Sequence, residues 1–437
     1  MSKKLLVDLI RAPDPTCIDD LSDEPQGLLY LAAVLRQAGH IPRVTNLAGH
    51  TADSWKPEIK EADIYGIQLY TPTAHHGINI AKYIKEKFPR KPIICGGAHP
   101  TADPNDPRLE VFDKIVIGEG ERALVDIVNS YCEDKELPRI IRAELIKDLD
   151  SLPFPAWDLV DMMKFTRKIN DKRCFGISGS RGCCYQCTFC DRSLFGSKVR
   201  FRSIKNITDE MKEIINRYGV KQFEFFDDMF TMSKKRLQEF AEITQDWGIA
   251  YRCNGRADVK DPEIYSLLKR TGCKKLCFGI ESGSQRILDL MKKGTTVKQN
   301  LQAIQLAQNA GIPATGYFII GFPGETKETI QETIDFIKES DIDQAQVYTF
   351  TPLPGCEVAR NPERYGITRM SKDYSDYFLV TGKDGHGGKT VDTKWLSADE
   401  LQEEVKGVRA FLKEHNWRGD FMDYYKNKLG YKTNRKE

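Results

Sequence analysis

The chain has 437 residues, enough for two or three folded units at about 150 residues per domain. Its 65 Lys and Arg nearly cancel its 63 Asp and Glu, and a net charge of +2 gives no field that would gather nucleic acid or an anionic membrane. The N-terminus, MSKKLLVDLIRAPDP, reaches Asp8 and Pro13 before any apolar run is long enough for a signal peptide. No later stretch approaches the roughly 18 apolar residues of a membrane span. The expectation is a cytoplasmic protein with neither membrane nor nucleic acid as partner. Its 12 cysteines then stay reduced, and a clustered subset points to metal binding rather than a disulfide framework.

Residues 1–135 alternate short β-rich runs with amphipathic stretches, the pattern of parallel βαβ units. Strands are predicted at 5–10, 43–47, 64–70, 92–97 and 114–118, with helices over 27–37, 78–87 and 121–131. Five strands with intervening helices make a doubly wound, Rossmann-like open sheet whose ligand sits at the carboxyl ends of the strands. Residues 136–170, which include LDSLPFPAWDLV, lose the alternation and read as a linker packed across two domains. The alternation returns over 171–355, with strands at 173–178, 222–227, 249–254, 275–280, 314–320 and 344–350. Asp261 before Pro262 opens one helix, Ser284 caps another that ends at Gly294, and Thr296 with Gln299 forms a capping box. Six βα units in series predict a partial (β/α)6 barrel of the TIM type, with its working residues where strands end. Residues 356–437 read as a small, mostly helical region. The fold class is therefore α/β in two domains with a helical tail.

The sequence RGCCYQCTFCDRS places Cys183, Cys187 and Cys190 at C-x3-C-x2-C just past the first barrel strand. Three thiolates on one tight loop suit zinc or an iron–sulfur cluster. Structural zinc wants four ligands, and no second CxxC or HxxxH pair is present outside this loop. Three ligands on a four-iron cluster leave one iron open to a substrate. Adjacent Cys184 diverges along the backbone.

This loop resembles the signature of the radical S-adenosylmethionine (SAM) superfamily, CxxxCxxC with an aromatic, here Phe189, before the third cysteine. The resemblance implies a 4Fe-4S cluster on Cys183, Cys187 and Cys190. Its open iron binds the amino and carboxylate groups of SAM, and one electron releases a 5′-deoxyadenosyl radical. Other segments match in order. FEFFDDMF resembles the acidic motif that accepts from the methionine ammonium, which points to Asp227 and Asp228. FGIESGS resembles the segment that holds the ribose, which points to Glu281 and Ser282. GYFIIGFPGET resembles the motif along the adenine, from Ile319 through Gly321 to Gly324. Arg256, in NGRAD, is placed against the methionine carboxylate. Each taken alone is also an ordinary turn, cap or solvated acid; together they fall on one barrel face in the family's order.

The N-terminal segments IICGGAHPTADP, KIVIGEGERAL and GLLYLAAVLRQAGH resemble the cobalamin-binding domain that precedes the barrel in one branch of the superfamily. By that resemblance Gly96, Gly97, Gly118 and Gly120 line the groove for the nucleotide tail, and Thr71 and Thr73 offer hydroxyls. NLAGHTAD lacks the spacing of D-x-H-x-x-G, so His50 is not expected as the lower axial ligand, and His99 reads as a hydrogen-bonded loop residue.

These resemblances imply a two-cofactor enzyme that methylates an unactivated carbon of a small molecule or peptide, with a reductase, flavodoxin or ferredoxin as electron donor. Cyclisation or rearrangement uses the same parts. A cobalamin or redox sensor with a structural cluster would need no SAM pocket. A methylthiotransferase would need a second cluster, for which Cys17, Cys95 and Cys132 are too dispersed. TFTPLPGCEV and GKDGHGGK are expected to cover the barrel mouth.

Overall fold

The computed structural model describes residues 3–14, 17, 19–51, 53–377 and 388–415. In the N-terminal domain, β1 (Leu6–Arg11), β2 (Ile41–Asn46), β3 (Ile64–Gln68), β4 (Ile93–Gly96) and β5 (Lys114–Ile117) are short aliphatic runs. They are joined through α1 (Gln26–Gln37), α2 (Ala74–Lys87), the short α3 (Ala98–Ala102) and α4 (Gly120–Glu133). Apolar stripes on the helices decide which face each covers. Leu28, Ala32 and Leu35 of α1 join Leu124 and Ile127 of α4 on one face of the sheet, while Ile78 and Ile84 of α2 pack on the other. With both faces covered, strands such as β4 are buried along most of their length.

The sheet order is β2-β1-β3-β4-β5 followed by a sixth strand, β6 (Ile140–Arg142), and every pairing is parallel. The order reverses between β1 and β3, which opens a crevice at their carboxyl ends. β6 comes from the stretch expected to be a linker. It has three residues, two of them exposed, so it carries no alternating pattern, and only pairing of Ile140 and Ile141 with Ile115 and Val116 makes it a strand. The rest of that stretch carries three single 3-10 turns and a two-residue strand, Lys168–Ile169, paired antiparallel with Lys172–Arg173. Among them Trp157 is buried against Phe175, with ring centroids 5.3 Å apart, and Ala156 N–H donates to Leu29 C=O. The segment thus bridges α1 and the barrel.

Six barrel strands follow, Phe175–Ile177, Gln222–Phe225, Ala250–Gly255, Cys273–Glu281, Ala314–Ile320 and Gln344–Thr349, paired in chain order and all parallel. Between them lie α5 (Ile204–Tyr218), α6 (Lys234–Thr244), α7 (Pro262–Arg270), α8 (Gln285–Leu290), α9 (Val297–Asn309) and α10 (Lys327–Ser340). Asp261 caps α7 through Glu263 N–H, and the Thr296–Gln299 capping box opens α9. The helix after Ser284 is shorter than expected and ends at Leu290, and the Ser284 side chain makes no capping bond. The Met291 carbonyl just beyond α8 accepts from Thr188 N–H at 2.9 Å, so this helix end holds the cysteine loop.

Beyond the barrel, strands Ile367–Met370 and Val391–Thr393 form an antiparallel hairpin, and a helix spans Ala398–Glu414. Leu401, Val405, Val408 and Leu412 of that helix complete the barrel's outer core. The expected mostly helical tail therefore carries a hairpin as well. Most of GKDGHGGK, and the terminal YYKNKLGYKTNRKE, lie outside the described residues.

The barrel does not close. Its first strand is an edge strand, and the N-terminal domain supplies what a further strand would have given. Glu24 Oε1 accepts from Gly176 N–H at 2.6 Å, and Gln26 Nε2 donates to Gly176 C=O at 2.9 Å. Residue 176 must be glycine, because a Cβ there would sit 2.1 Å from the Phe226 ring and 2.4 Å from Glu24 Oε1. Burial raises the Glu24 carboxyl to about 7, helped by the charges of Asp23 and Glu224. Folding therefore favours its neutral form. The stability it contributes is full below the ordinary carboxyl range and is lost as pH rises from about 4.5 through about 7. Glu24→Gln, which keeps an acceptor but cannot ionise, is expected to remove up to about 3 kcal/mol of the stability difference between pH 5 and pH 8 in urea unfolding. Parallel pH profiles for the two proteins would contradict this.

Candidate functional site

A cavity of about 550 Å³ lies between the carboxyl ends of the N-terminal sheet and the mouth of the barrel. Gly96, Gly97, Gly118 and Gly120 line its sheet side, and Ser178, Arg181, Phe226 and Asp228 its barrel side. Gly97 (φ +108°) and Gly118 (φ +93°) turn the chain out of β4 and β5 in a conformation that favours glycine, with Leu69 O 2.9 Å from where a Cβ would be at the first. Bare backbone at these two turns lets a large flat cofactor approach the sheet. Thr71 and Thr73 are not part of this wall. β3 ends at Gln68 and the chain turns into α2, so Thr71 is buried beneath His99 (Oγ1 to Nδ1, 3.3 Å) and Thr73 precedes the first turn of α2.

Among the described residues no histidine lines the cavity. His50 contacts Ser54 at the surface, and His99 is fully buried with Nε2 2.9 Å from Asp106.

The two domains are clamped beside the cavity. Glu119, at the start of α4, accepts from Arg181 at 2.8 Å, from Arg200 at 2.6 Å and from Ile146 N–H at 2.6 Å, and Glu121 takes the other arm of Arg181 at 2.6 Å. Arg181 lies two residues before Cys183 and is flanked by the Tyr30 and Phe195 rings. Nothing in composition or spacing singled it out.

Cys183, Cys187 and Cys190 lie on the loop that follows, fastened by Thr188 to Met291 O and, on its other side, to Val358 N–H at 3.1 Å. Cys187 is buried, Cys183 half-buried and Cys190 exposed, and Cys184 is exposed as well. A hydrogen bond from Cys190 holds the Cys187 thiol down to about 6, and the charges of Lys293 and Arg256 assist, while Cys190 itself is pushed up. The Arg256 guanidinium is 3.4 Å from the Tyr185 ring centre, and Arg256 Nε and the Tyr185 hydroxyl both donate to Asp258. A further Arg256 bond goes to Lys293 C=O. These cations favour the thiolate of Cys187, the form that ligates metal, while burial raises Cys183. Among the described residues no group of three His, Cys, Asp or Glu could hold a single metal ion. A zinc knuckle needs that tight convergence, whereas a four-iron cluster takes its thiolates at separate corners.

The two aspartates after the second strand are divided. Asp227 accepts from Gly179 N–H at 2.8 Å and from the Ser180 hydroxyl at 2.5 Å, which braces the strand before the cysteine loop. Asp228 faces the cavity, and burial with the Asp227 charge raises it to about 6. Glu281 sits at a bulge with φ +67° and pairs with Lys293 at 2.6 Å. Lys293, in MKKGTT, was not anticipated, since its role depends on a fold-back of 12 residues. Ser282 is fully buried and bonded to Thr333 and to Ser284 N–H, so it holds the turn rather than facing a ligand. Phe189 and Ile319 pack on one apolar cluster with Phe322 and Met291. Gly321 and Gly324 form the following turn against Leu401 and Leu290, with the Glu325 carboxylate bonded to Gly321 N–H.

Lys293 and Glu281 are each about nine-tenths buried. Lys293→Met therefore strands a buried carboxylate and is expected to cost about 3–5 kcal/mol in chemical denaturation. Glu281→Gln in the same chain should recover most of that loss, and additive losses would show that the pair is not coupled.

Comparison with known proteins agrees with this geometry. Residues 177–337 match the radical SAM superfamily and residues 23–128 the B12-binding domain. An uncharacterized methyltransferase of Pyrococcus horikoshii is 34% identical over 76% of this chain and 77% of its own. An anaerobic magnesium-protoporphyrin IX monomethyl ester cyclase of Cereibacter sphaeroides is 29% identical over 90% of this chain and 69% of its own. The fold matches that of the radical SAM methyltransferase TsrM from Kitasatospora setae, a structure with cobalamin and a 4Fe-4S cluster bound, with a TM-score of 0.72 and 18% identity over 100% of this chain and 94% of that one. Among the described residues no helix is long and apolar enough to cross a membrane. The chain belongs to the cobalamin-binding branch of the radical SAM superfamily, and it is a methyltransferase-like enzyme of that branch, with a 4Fe-4S cluster, SAM and cobalamin as its cofactors.

Proposed function

We propose that this enzyme methylates an unactivated carbon of a small molecule or peptide in the cytoplasm, with electrons from a flavodoxin, ferredoxin or dedicated reductase. The observation that carries the reading is the single cavity that has the glycine turns of the N-terminal sheet on one wall and Asp228 and Arg181, neighbours of the cysteine loop, on the other. When bound, the cluster supplies the electron that cleaves SAM and the corrinoid supplies a transferable methyl group.

The chain's own residues do the positioning. Cys183, Cys187 and Cys190 would hold the cluster by three thiolates. Asp228, unlike the braced Asp227, has an acceptor free for the methionine ammonium. Arg256 and Lys293 hold positive charge near the methionine carboxylate, and Glu281 offers the ribose hydroxyls the oxygen that Lys293 leaves. Ile319 and the Gly321–Gly324 turn supply the apolar edge for adenine. Gly96, Gly97, Gly118 and Gly120 flank the corrinoid tail, and the Arg181 clamp keeps the two cofactor walls in register, which excludes bulk water from a radical centre.

Cyclisation is the second reading, favoured by the likeness to the Cereibacter cyclase over 90% of this chain. Product analysis separates the two. Supplied with reductant and an anaerobic metabolite extract, a methyltransferase should form S-adenosylhomocysteine and 5′-deoxyadenosine in comparable amounts, whereas deoxyadenosine alone would favour cyclisation or rearrangement. A single preformed pocket should retain about one equivalent of hydroxocobalamin through gel filtration. Cys183→Ala, Cys187→Ala and Cys190→Ala should each lose the brown cluster absorbance and all SAM cleavage, and Cys184→Ala should keep both. Loss in Cys184→Ala with retention in Cys183→Ala would move the ligand register by one residue.

A further inference from the structure

The two faces of the barrel sheet differ in character. On the fourth strand, the residues facing the helices, Leu276, Phe278 and Ile280, are buried in the outer core. The opposite face of the third to sixth strands carries Arg252, Lys275, Tyr317, Gln344 and Tyr348, all of them only partly buried. Arg252 and Lys275 are register partners, and Glu224 is the partner of Arg252 on the other side. These side chains therefore share one layer toward the floor of the lumen.

Their charges do not balance. Arg167 reaches this layer and pairs with Asp23 at 2.6 Å and with Glu224 at 2.9 Å, and Arg252 pairs with the same Glu224 at 3.0 Å. Both carboxylates are thereby taken up. Lys275 donates to the neutral Gln344 Oε1 at 2.5 Å and, among the described residues, has no carboxylate partner. Burial and the nearby charges of Arg252 and Arg167 disfavour its protonated form, and Cys277 and Glu224 offset this only in part. A half-buried ammonium beside two guanidinium groups is costly to keep unless something anionic visits it. Gln344 also accepts from the Thr315 hydroxyl, so its oxygen is held in place, and the Tyr348 hydroxyl lies on the same wall.

We infer that Lys275 and Arg252 form an anion subsite on the lumen floor that takes an oxyanion group of the substrate, a phosphate, phosphonate or carboxylate. The subsite lies among the lumen residues of the barrel, away from the cysteine loop at its mouth, and so serves the substrate rather than SAM. The inference deepens the reading of the chamber as the substrate site and rests on it.

The test uses anaerobic holoenzyme with cluster and cobalamin, saturated with SAM so that the SAM carboxylate site is filled, and no reductant. Inorganic phosphate and acetate are titrated separately by calorimetry at constant ionic strength set with chloride. One of the two should bind saturably, which tells a phosphoryl or phosphonyl group from a carboxylate. Lys275→Gln should weaken that binding at least tenfold, and Lys275→Arg should restore most of it; cluster absorbance and retained cobalamin report that both variants have folded. Absence of saturable binding, or equal affinity in Lys275→Gln, would overturn the inference. Because nothing turns over, such a failure leaves methylation standing, and failure of the product analysis leaves the anion subsite standing.

Discussion

The unpaired edge of the Phe175–Ile177 strand is the constraint on which the rest of this structure depends. A six-stranded parallel sheet curls far enough to form a mouth but not to close, and the amide and carbonyl of its edge strand must be satisfied. Glu24 and Gln26 meet that need at Gly176 with side chains instead of a backbone ladder. Two side-chain contacts leave room that a seventh strand would fill, and that room is continuous with the cavity. The same contacts fix the N-terminal sheet with its glycine turns toward the barrel mouth. Closure of the barrel and construction of a shared chamber are therefore one problem, solved by one short segment.

Electrostatics then divides the chamber. Beside the cysteine loop, Arg256 and Lys293 stabilise the Cys187 thiolate and are themselves compensated, by Asp258 and Glu281. At the domain junction, Arg181 and Arg200 are neutralised by Glu119 and Glu121. On the cavity wall burial and the Asp227 charge raise Asp228 to about 6. At the cysteine loop and the domain junction each buried charge is matched on the spot, as low-dielectric surroundings require. Lys275 on the lumen floor departs from this rule, which is why it stands out.

Much of the plan was legible in the chain alone. The alternation of β-rich runs and amphipathic stretches specified two parallel α/β units, because strands covered on both faces must be apolar and their crossovers must be helices. The spacing of Cys183, Cys187 and Cys190 specified a three-thiolate loop, because ligands to one cluster must be close in sequence when a tight turn carries them. Caps such as Asp261 and Thr296 were readable because capping is a contact between residues two or three apart.

Tertiary structure decided what depends on distant partners. β6 is a strand only because β5 lies beside it. Asp227 became a brace and Asp228 a cavity residue because the first strand consumes one carboxylate and not the other, a choice invisible in the dipeptide. Thr71, which reads as a ligand hydroxyl, is instead buried under His99, 28 residues away. Lys293, Arg181 and Glu24 carry no local signature, since each acts through a group 12 to 152 residues distant. Local sequence fixes periodicity, turns and ligand spacing, which are short-range; the sharing of charge and hydrogen bonds across a domain junction is long-range, and only the folded chain sets it.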